Sequence, residues 1–187
     1  MNFPRTVIGY YGCLEPLATD LLSGKMSLKD WPVSRNKWDW LGEGIYFWEH
    51  APERALQWAK EEKVKKKEDR PAVIGAVIFL GDSVLDLLDI RFAPVLRNTY
   101  KQLVEDYKTT KRTLPENRGS FPALKRRDLD CLVINELCNA SPNFYTVVRG
   151  AFEEGAAVFP GSKIMEQTHV QLAVRNTEAI KGLFRPV

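Results

Sequence analysis

Two short glycine-containing segments combine residue types that suit the binding of a planar ligand. The first, Gly9–Cys13, places Gly12 directly after two tyrosines. The second, Trp38–Glu49, contains Gly42 and Gly44 and continues with Ile, Tyr, Phe and Trp. Glycine lets a ligand approach the backbone closely, and an aromatic ring offers a face on which a flat cation stacks. The spacing therefore predicts a pocket for a flat ring beside a strand.

Several common catalytic patterns are excluded by the residues themselves. The Gly42-x-Gly44 pair lacks the third glycine of a dinucleotide fingerprint and the Lys-Ser/Thr of a phosphate-binding loop, and a strand follows it instead of a helix. There is no Gly-x-Ser-x-Gly elbow for a serine hydrolase. With three cysteines, no Cys-x-x-Cys spacing and two histidines, neither a metal site nor a disulfide framework is expected.

Composition predicts one globular domain, spanning residues 1–187. The chain is 44% hydrophobic and 27% charged, which is ordinary for a soluble protein, and its formal charge of +3 is mildly basic. No apolar run reaches the length of a membrane span, so no membrane association is expected. The cysteine usage favours a reducing compartment, and the predicted location is the cytoplasm.

The order of the predicted elements favours an α+β fold, because strands and helices do not alternate regularly as in a doubly wound sheet. Hydrophobic periodicity, glycines and prolines set the boundaries. Strands are predicted at 6–11, 44–48, 72–80, 145–150, 156–159 and 168–175, and helices at 16–22, from Pro52 to about Lys60, at 90–107 and at 128–138, with an apolar run at 84–88 and a long loop at 109–122.

The combined motifs resemble a known family. The segments Tyr11-Gly12-Cys13, Gly42-x-Gly44-Ile45-Tyr46-Phe47, Phe159-Pro160-Gly161-Ser162 and Thr168-His169-Val170-Gln171-Leu172 resemble, in that order, ADP-ribosyltransferases of the diphtheria-toxin/poly(ADP-ribose)-polymerase-like clade. The resemblance implies split antiparallel sheets that form an NAD cleft, with flanking helices. It also implies NAD as a substrate, release of nicotinamide and no metal.

The resemblance also implies roles for individual residues. Tyr46 would stack on the nicotinamide ring, and the backbone of Gly12 would hydrogen-bond its carboxamide. Tyr11 stands where the family usually has a histidine that binds a ribose, and a phenol can still donate and accept a hydrogen bond. The other residues that this resemblance and their position assign to NAD binding are Cys13, Ser34, Asn36, Trp40, Gly42, Gly44, Phe47 and Arg54.

The catalytic glutamate of the clade has no clear counterpart on the last predicted strand. That residue stabilises the positive charge that develops on the ribose when nicotinamide leaves. We expect the role to fall to His169, then Gln171, then Glu166, and Glu154 is a further candidate because it precedes the same strand. Together with Tyr46, the first three are the predicted catalytic residues.

The acceptor of the ADP-ribose group is expected to be a macromolecule. The bacterial relatives look like toxins or antiviral effectors, which implies a protein, RNA or DNA target and allows for a neutralising partner protein. Arg118, Lys125, Arg126 and Arg127 surround the long loop and are candidates for holding that target. Two alternatives share the fold: an RNA 2′-phosphotransferase-like enzyme using His169 and Arg175, and a non-catalytic NAD-binding or interaction module.

Overall fold

The structure is a computed structural model that describes residues 5–120, 124–141 and 144–186. Short single-turn helices at Leu28–Asp30, Ile90–Phe92 and Thr177–Ala179, and a π-turn at Ala59–Lys63, join the longer elements. The longer elements are β1 Thr6–Leu14, α1 Glu15–Leu22, β2 Ile45–Glu49, α2 Pro52–Trp58, β3 Pro71–Phe79, β4 Val84–Asp86, α3 Ala93–Thr109, α4 Asp128–Ala140, β5 Val147–Phe152, β6 His169–Val174 and β7 Ile180–Phe184.

The strands form one mixed sheet flanked by helices, which confirms the predicted α+β class. Its seven strands lie in the order β4-β5-β6-β2-β1-β3-β7, with β4 parallel to β5 and every other neighbouring pair antiparallel. The expected split into separate sheets was wrong for the described residues, because β6 pairs with both β5 and β2 and β1 still contacts β2. None of the described helices is both long and apolar enough to cross a membrane.

The sheet nevertheless opens between β1 and β2. Their register consists of Gly9–Glu49 and Tyr10–Trp48, whereas β1 pairs with β3 along its whole length. The Ile8 carbonyl accepts a hydrogen bond from the His50 N–H at 3.0 Å, so Ile8 turns its backbone groups towards β2. Because backbone groups alternate sides along a strand, Gly12 also turns its N–H and C=O towards β2, beyond the end of the pairing.

The two faces of the sheet carry separate cores. On one face, which we call the α1 face, α1 and Trp31 pack over Cys13, Phe47 and Leu172. On the other, the α2–α4 face, Ile134 and Cys138 of α4 pack over Leu41, Val148 and Ala173, while α2 covers β1 and β2. Side chains alternate between these faces along every strand, so the position of a residue within its strand decides which core it joins.

Three elements differ from the predicted ones. Residues 156–159 are not a strand: the segment from Glu154 to Gln167 is a hairpin-like excursion with one bridge, Ala157–Met165. β7 had no clear alternating pattern and was not predicted. β1 continues through Gly12 to Leu14, because β3 supplies partners beyond the glycine. Part of the predicted loop at 109–122 lies outside the described residues.

Gly12 is required by the packing of α2. A Cβ at this position would overlap the carbonyl oxygen of Ala55 and lie 3.3 Å from the Ala59 Cβ. Gly182 in β7 has no atom within 4 Å of the corresponding position. We therefore expect Gly12→Ala to lower the free energy of unfolding by about 1–3 kcal/mol, because the backbone of α2 must shift. Gly182→Ala should change it by no more than about 0.5 kcal/mol.

Urea unfolding of both variants beside the wild type measures this difference. Equal stability of the two variants would contradict the close packing of α2 on β1.

Candidate functional site

The alternation of β2 and β6 brings several predicted site residues to the α2–α4 face. Tyr46 and Trp48 of β2 point to this face, and Ala173 and Gln171 of β6 lie directly opposite them. Two residues earlier on β6, His169 lies opposite Phe152 of β5. Strand pairing alone therefore gathers aromatic and hydrogen-bonding side chains beneath α2 and α4.

Around His169 these side chains form a compact group. The ring centroid of His169 lies 6.4 Å from that of Trp40, with the planes within 16°, and 6.4 Å from that of Trp48. The Arg54 guanidinium is 5.7 Å from the centre of the Trp48 ring, which lies on the same face. We call this group the Arg54–Glu154 cluster; its members are Trp40, Trp48, Arg54, Phe152, Glu154 and His169.

Glu154 supplies the negative charge of the cluster. Its Oε2 accepts a hydrogen bond from Arg54 Nη2 at 2.8 Å, and its Oε1 lies 3.2 Å from Lys125 Nζ. The side chains of Arg54 and Glu154 are both 11% exposed. Burial raises the pKa of Glu154, but the two cations outweigh that effect and hold it below its usual range. Glu154 is therefore an ionised carboxylate at neutral pH.

His169 is neutral and presents a hydrogen-bond acceptor. Its Nδ1 lies 2.6 Å from the Gln167 carbonyl oxygen, which can only accept, so Nδ1 carries the proton. Burial lowers the pKa of His169 below its ordinary value, the hydrogen bond to Gln167 opposes that shift, and the charge of Arg54 adds to it. The lone pair is therefore on Nε2.

Four buried polar atoms of the cluster have no hydrogen-bond partner among the described residues. They are Trp48 Nε1, Arg54 Nε, Arg54 Nη1 and His169 Nε2. An unsatisfied buried donor or acceptor costs about 1–3 kcal/mol, and most native structures leave few of them. Their concentration on three neighbouring residues makes the cluster a candidate ligand site.

The chemistry available at the cluster follows from these groups. Arg54 can donate two further hydrogen bonds to a carbonyl or phosphate oxygen, and His169 Nε2 can accept one from a hydroxyl. The Trp40 ring is half-buried, with the Arg127 guanidinium over it at 4.4 Å and the His169 ring nearly parallel to it. Glu154 can stabilise a positive charge that develops nearby, because a carboxylate in a partly dehydrated site interacts strongly with charge.

Tyr46 also lies on the α2–α4 face, where it is largely occupied by structural contacts. Its hydroxyl donates to the Gly42 carbonyl at 2.6 Å and accepts from the Leu41 N–H at 2.9 Å. Its ring packs against the core that includes Leu41 and Ile134. Burial raises the pKa of Tyr46 well above its usual value, so the phenol is neutral. Tyr46 thus closes the turn that precedes β2.

Tyr11, Cys13 and Phe47 lie on the opposite, α1 face. The Tyr11 ring contacts Trp31 edge-on at a centroid distance of 5.0 Å and Phe47 at 5.8 Å. Cys13 and Phe47 are buried in the same core, and burial raises the pKa of the Cys13 thiol to about 11. The sheet separates these three side chains from His169, because successive residues along a strand point to opposite faces of the sheet. Only the backbone of Gly12 reaches the opening from this segment.

Ser34 and Asn36 belong to a loop that Asp39 organises. The Ser34 hydroxyl donates to Asp39 Oδ2 at 2.7 Å, and the Asn36 backbone N–H donates to the same oxygen at 2.9 Å. Ser34 also exchanges two backbone hydrogen bonds with Gly44. These contacts explain Ser34 and Asn36 as turn-forming residues. They also explain Gly44, which pairs with this loop immediately before β2.

Gly42 and Trp40 connect this loop to the segment around α4. Gly42 has a left-handed backbone (φ +73°), and a Cβ there would overlap the side chain of Asn135. The Trp40 Nε1–H donates to the Lys125 carbonyl at 2.8 Å. Arg175 donates to Glu43 O and to Asn135 Oδ1, both at 2.9 Å, which ties β6 to the same turn.

Of the remaining predicted catalytic residues, Gln171 shares the face of His169 and Glu166 does not join the cluster. Gln171 lies opposite Trp48 and Gly150 in the sheet and is half-buried. Glu166 is exposed in the hairpin that follows β5, where its N–H donates to the Ala156 carbonyl. Among the carboxylates near β6, Glu154 is the one held beside His169.

Sequence reasoning gave Trp48 and Phe152 no role and left Glu154 as a secondary candidate. Trp48 could have been found from its spacing, since it lies two residues after Tyr46 on a strand. Glu154 could not be ranked above Glu166 from the sequence, because both flank the same hairpin. Their different surroundings depend on Arg54, which is 100 residues away along the chain.

A second feature of the surface is a cavity of about 570 Å³ beside β4, lined by Arg5, Asp86 and Arg149 among others. Arg149 donates to Glu49 at 2.6 Å and to Asp86 at 3.2 Å, and Arg5 also pairs with Asp86. The two cations and two carboxylates of this network compensate each other, so it leaves no buried charge unpaired. Among the described residues, no group of three or more His, Cys, Asp or Glu side chains could hold a metal ion.

Comparisons of this chain with protein-family models, with curated proteins and with solved structures returned no match.

Removal of the Tyr46 hydroxyl tests its structural role. Tyr46→Phe leaves the Leu41 N–H and the Gly42 carbonyl without their partner in a buried turn. We expect the free energy of unfolding to fall by about 1–3 kcal/mol. The control is Tyr100→Phe on α3, whose side chain is 40% exposed and should tolerate the change. Chemical denaturation of both variants gives the comparison, and an unchanged Tyr46→Phe midpoint would contradict the assignment.

The protonation state of His169 gives a second test. The chain has two histidines, so His50→Gln leaves His169 as the single imidazole for an NMR titration. We expect a pKa below 6.5. Since the folded state then binds fewer protons than the unfolded state, the stability that His169 contributes is fully present above pH 6.5 and is lost as the pH falls through its folded pKa.

Unfolding experiments on wild type and His169→Gln across this pH range should show that difference. A titration midpoint at or above 6.5 would show that the imidazole is not desolvated.

Proposed function

We propose that this protein is an NAD-dependent ADP-ribosyltransferase that uses the Arg54–Glu154 cluster as its catalytic centre. The observation that carries the proposal is the concentration of unpartnered buried polar atoms on Arg54, His169 and Trp48 around an ionised carboxylate, Glu154. The opening between β1 and β2 lies on the same side of the molecule, because α2 carries Arg54 and packs directly on Gly12. The motif resemblance supports the same assignment.

NAD offers groups that match the cluster. Its nicotinamide is a planar cation with a carboxamide, which suits the backbone N–H and C=O that Gly12 turns towards the opening. Its phosphates suit the remaining donors of Arg54, since a guanidinium binds phosphate oxygens in a fixed fork geometry. In this arrangement the Tyr46 phenol is not the stacking ring, because it is held by the turn.

The proposed reaction needs positioning and charge stabilisation more than strong acid–base chemistry. The bond between the ribose C1′ and the nicotinamide nitrogen breaks, and its electron pair leaves with neutral nicotinamide. Positive charge develops on the ribose and is stabilised by the Glu154 carboxylate. An oxygen or nitrogen of the acceptor forms the new bond to C1′, and its proton passes to His169 Nε2.

The surroundings of Glu154 are consistent with this role. Its partner Arg54 is as buried as the carboxylate itself, so that ion pair fixes the position of the side chain. Its partner Lys125 has a side chain that is 67% exposed, and such a pair contributes little net stability. The Lys125 contact can therefore be exchanged when a substrate enters, while Arg54 keeps the carboxylate in place.

The non-catalytic module remains the second candidate, since two observations favour it. Tyr11, which replaces the histidine of the family, faces the α1 core and not the cluster. The Tyr46 hydroxyl is bound to the preceding turn. A module of this kind would bind NAD without releasing nicotinamide. The RNA 2′-phosphotransferase alternative is less supported, because Arg175 is engaged by Glu43 and Asn135.

Nicotinamide release from NAD tests the proposal, with the two glutamates of the hairpin as a matched pair. Glu154→Gln removes the charge beside His169 and keeps the shape of the side chain. We expect the release rate to fall about 100-fold or more, because a preorganised charge at the transition state is lost. Glu166→Gln makes the same chemical change at an exposed position and should leave the rate within about twofold.

Thermal unfolding of both variants separates a folding defect from a chemical one, and calorimetry with NAD separates binding from turnover. Equal rates for the two variants would remove Glu154 from the mechanism. Tight NAD binding by the wild type without nicotinamide release, on protein, RNA and DNA acceptors, would establish the non-catalytic module instead.

A further inference from the structure

An exposed tryptophan beside three cations forms a distinct surface next to the cluster. Trp38 is 42% exposed, and the Arg126 guanidinium lies over its ring at 4.8 Å from the centroid. Arg118 and Arg126 exchange two backbone hydrogen bonds, at 2.7 and 3.0 Å, which hold the two arginines side by side. We call Trp38, Arg118, Lys125 and Arg126 the tryptophan–arginine platform.

The platform carries more positive charge than its own acidic partner can compensate. Arg118 and Arg126 both contact Oδ1 of Asp128, at 3.4 and 3.1 Å, each through Nη2. The Asp128 side chain is 9% exposed, whereas those of Arg118 and Arg126 are 60% and 50% exposed. One buried carboxylate thus orients two guanidiniums whose side chains are at least half exposed.

The platform is continuous with the Arg54–Glu154 cluster. Lys125 bridges the two, because its carbonyl accepts from Trp40 Nε1 at 2.8 Å and its ammonium group lies 3.2 Å from Glu154. The next residues along the chain, Arg126 and Arg127, lie over Trp38 and Trp40 respectively. A molecule bound on the platform would therefore lie next to the proposed catalytic carboxylate, which contacts Lys125.

We propose that the tryptophan–arginine platform binds single-stranded nucleic acid, which makes a nucleic-acid strand the ADP-ribose acceptor. The identity of the acceptor rests on the proposed function; the binding does not. Exposed aromatic rings stack with unpaired bases, and arginines in a cluster bind successive phosphates. A duplex keeps its bases stacked on one another and offers none to Trp38. An acidic protein segment would use the cations but need not carry a planar group for the exposed indole, whereas every unpaired base supplies one.

Binding is measured without NAD, by fluorescence anisotropy with labelled single-stranded RNA and DNA of about 12 nucleotides and with the corresponding duplexes. We expect both single strands to bind more tightly than their duplexes. Trp38→Ala should weaken single-strand binding on the order of 10-fold, through the loss of base stacking. A preference between the RNA and DNA arms identifies whether the 2′-hydroxyl is read.

The two arginines give a separate signature. Arg118→Gln and Arg126→Gln should each weaken binding several-fold and reduce the slope of log affinity against log salt by about 0.7, as expected for one phosphate contact. A purely structural role for these side chains would change stability without changing that slope.

The control is an aromatic–cation pair at the far side of the sheet. Phe79 lies on β3 and Lys181 on β7. Lys181 Nζ lies 5.7 Å from the Phe79 ring centroid, and Phe79 is 38% exposed. Phe79→Ala and Lys181→Gln should leave nucleic-acid binding unchanged. Binding that is equally weakened by these variants, or that favours the duplex, would overturn the proposal.

Two further outcomes keep this inference separate from the proposed function. Nicotinamide release by a protein that binds none of the oligonucleotides would overturn the platform and favour a protein acceptor. Oligonucleotide binding that is sensitive to Trp38→Ala, without any ADP-ribose transfer, would support the platform and reject the catalytic proposal.

Discussion

The pairing of β6 with both of its neighbours is the constraint on which the candidate site depends. β6 is in continuous register with β2 on one side and with β5 on the other. This double pairing fixes His169 opposite Phe152 and places Trp48 two residues further along the same face. A shift of one residue in either register would move these side chains to the α1 face and disperse the cluster.

Helix α2 completes what the sheet begins. It can approach β1 closely because Gly12 has no side chain, and this approach brings Arg54 above Trp48. Arg54 then reaches across to Glu154, at the end of β5, and holds its charge in a largely buried position. A neutral histidine, an ionised carboxylate and a guanidinium with unused donors are thereby combined in one place. The combination is costly for folding unless a ligand satisfies it, which is the physical basis of the functional proposal.

Other buried charges of the fold have partners within the protein. Glu49, Asp86, Arg5 and Arg149 neutralise one another in a network that joins β2, β4 and β5. Arg175 likewise uses its donors to tie the turn before β2 to α4. These networks differ from the Arg54–Glu154 cluster in their hydrogen bonding. Their charged groups have protein partners, whereas Arg54 and His169 keep buried atoms without one.

Local patterns in the sequence were enough to predict most elements. Strands β2, β3 and β6 and helices α1 and α4 follow from hydrophobic periodicity and from flanking Gly and Pro, and these signals depend only on near neighbours. The strand predicted at 156–159 was wrong. Apolar residues such as Val158 and Phe159 are typical of a buried strand in the sequence, but in the structure both are exposed. β7 was missed because its pairing with β3 decides its conformation.

The candidate site was likewise predictable only in part from the sequence. The sequence by itself identified His169, Arg54 and the glycine segments as residues of interest, because residue type and short-range spacing carry that information. Only the tertiary structure decided that Tyr11 and Tyr46 lie on opposite faces, and that Glu154 rather than Glu166 lies beside His169. Those outcomes depend on strand register and on contacts between residues up to 100 positions apart, which no local pattern encodes.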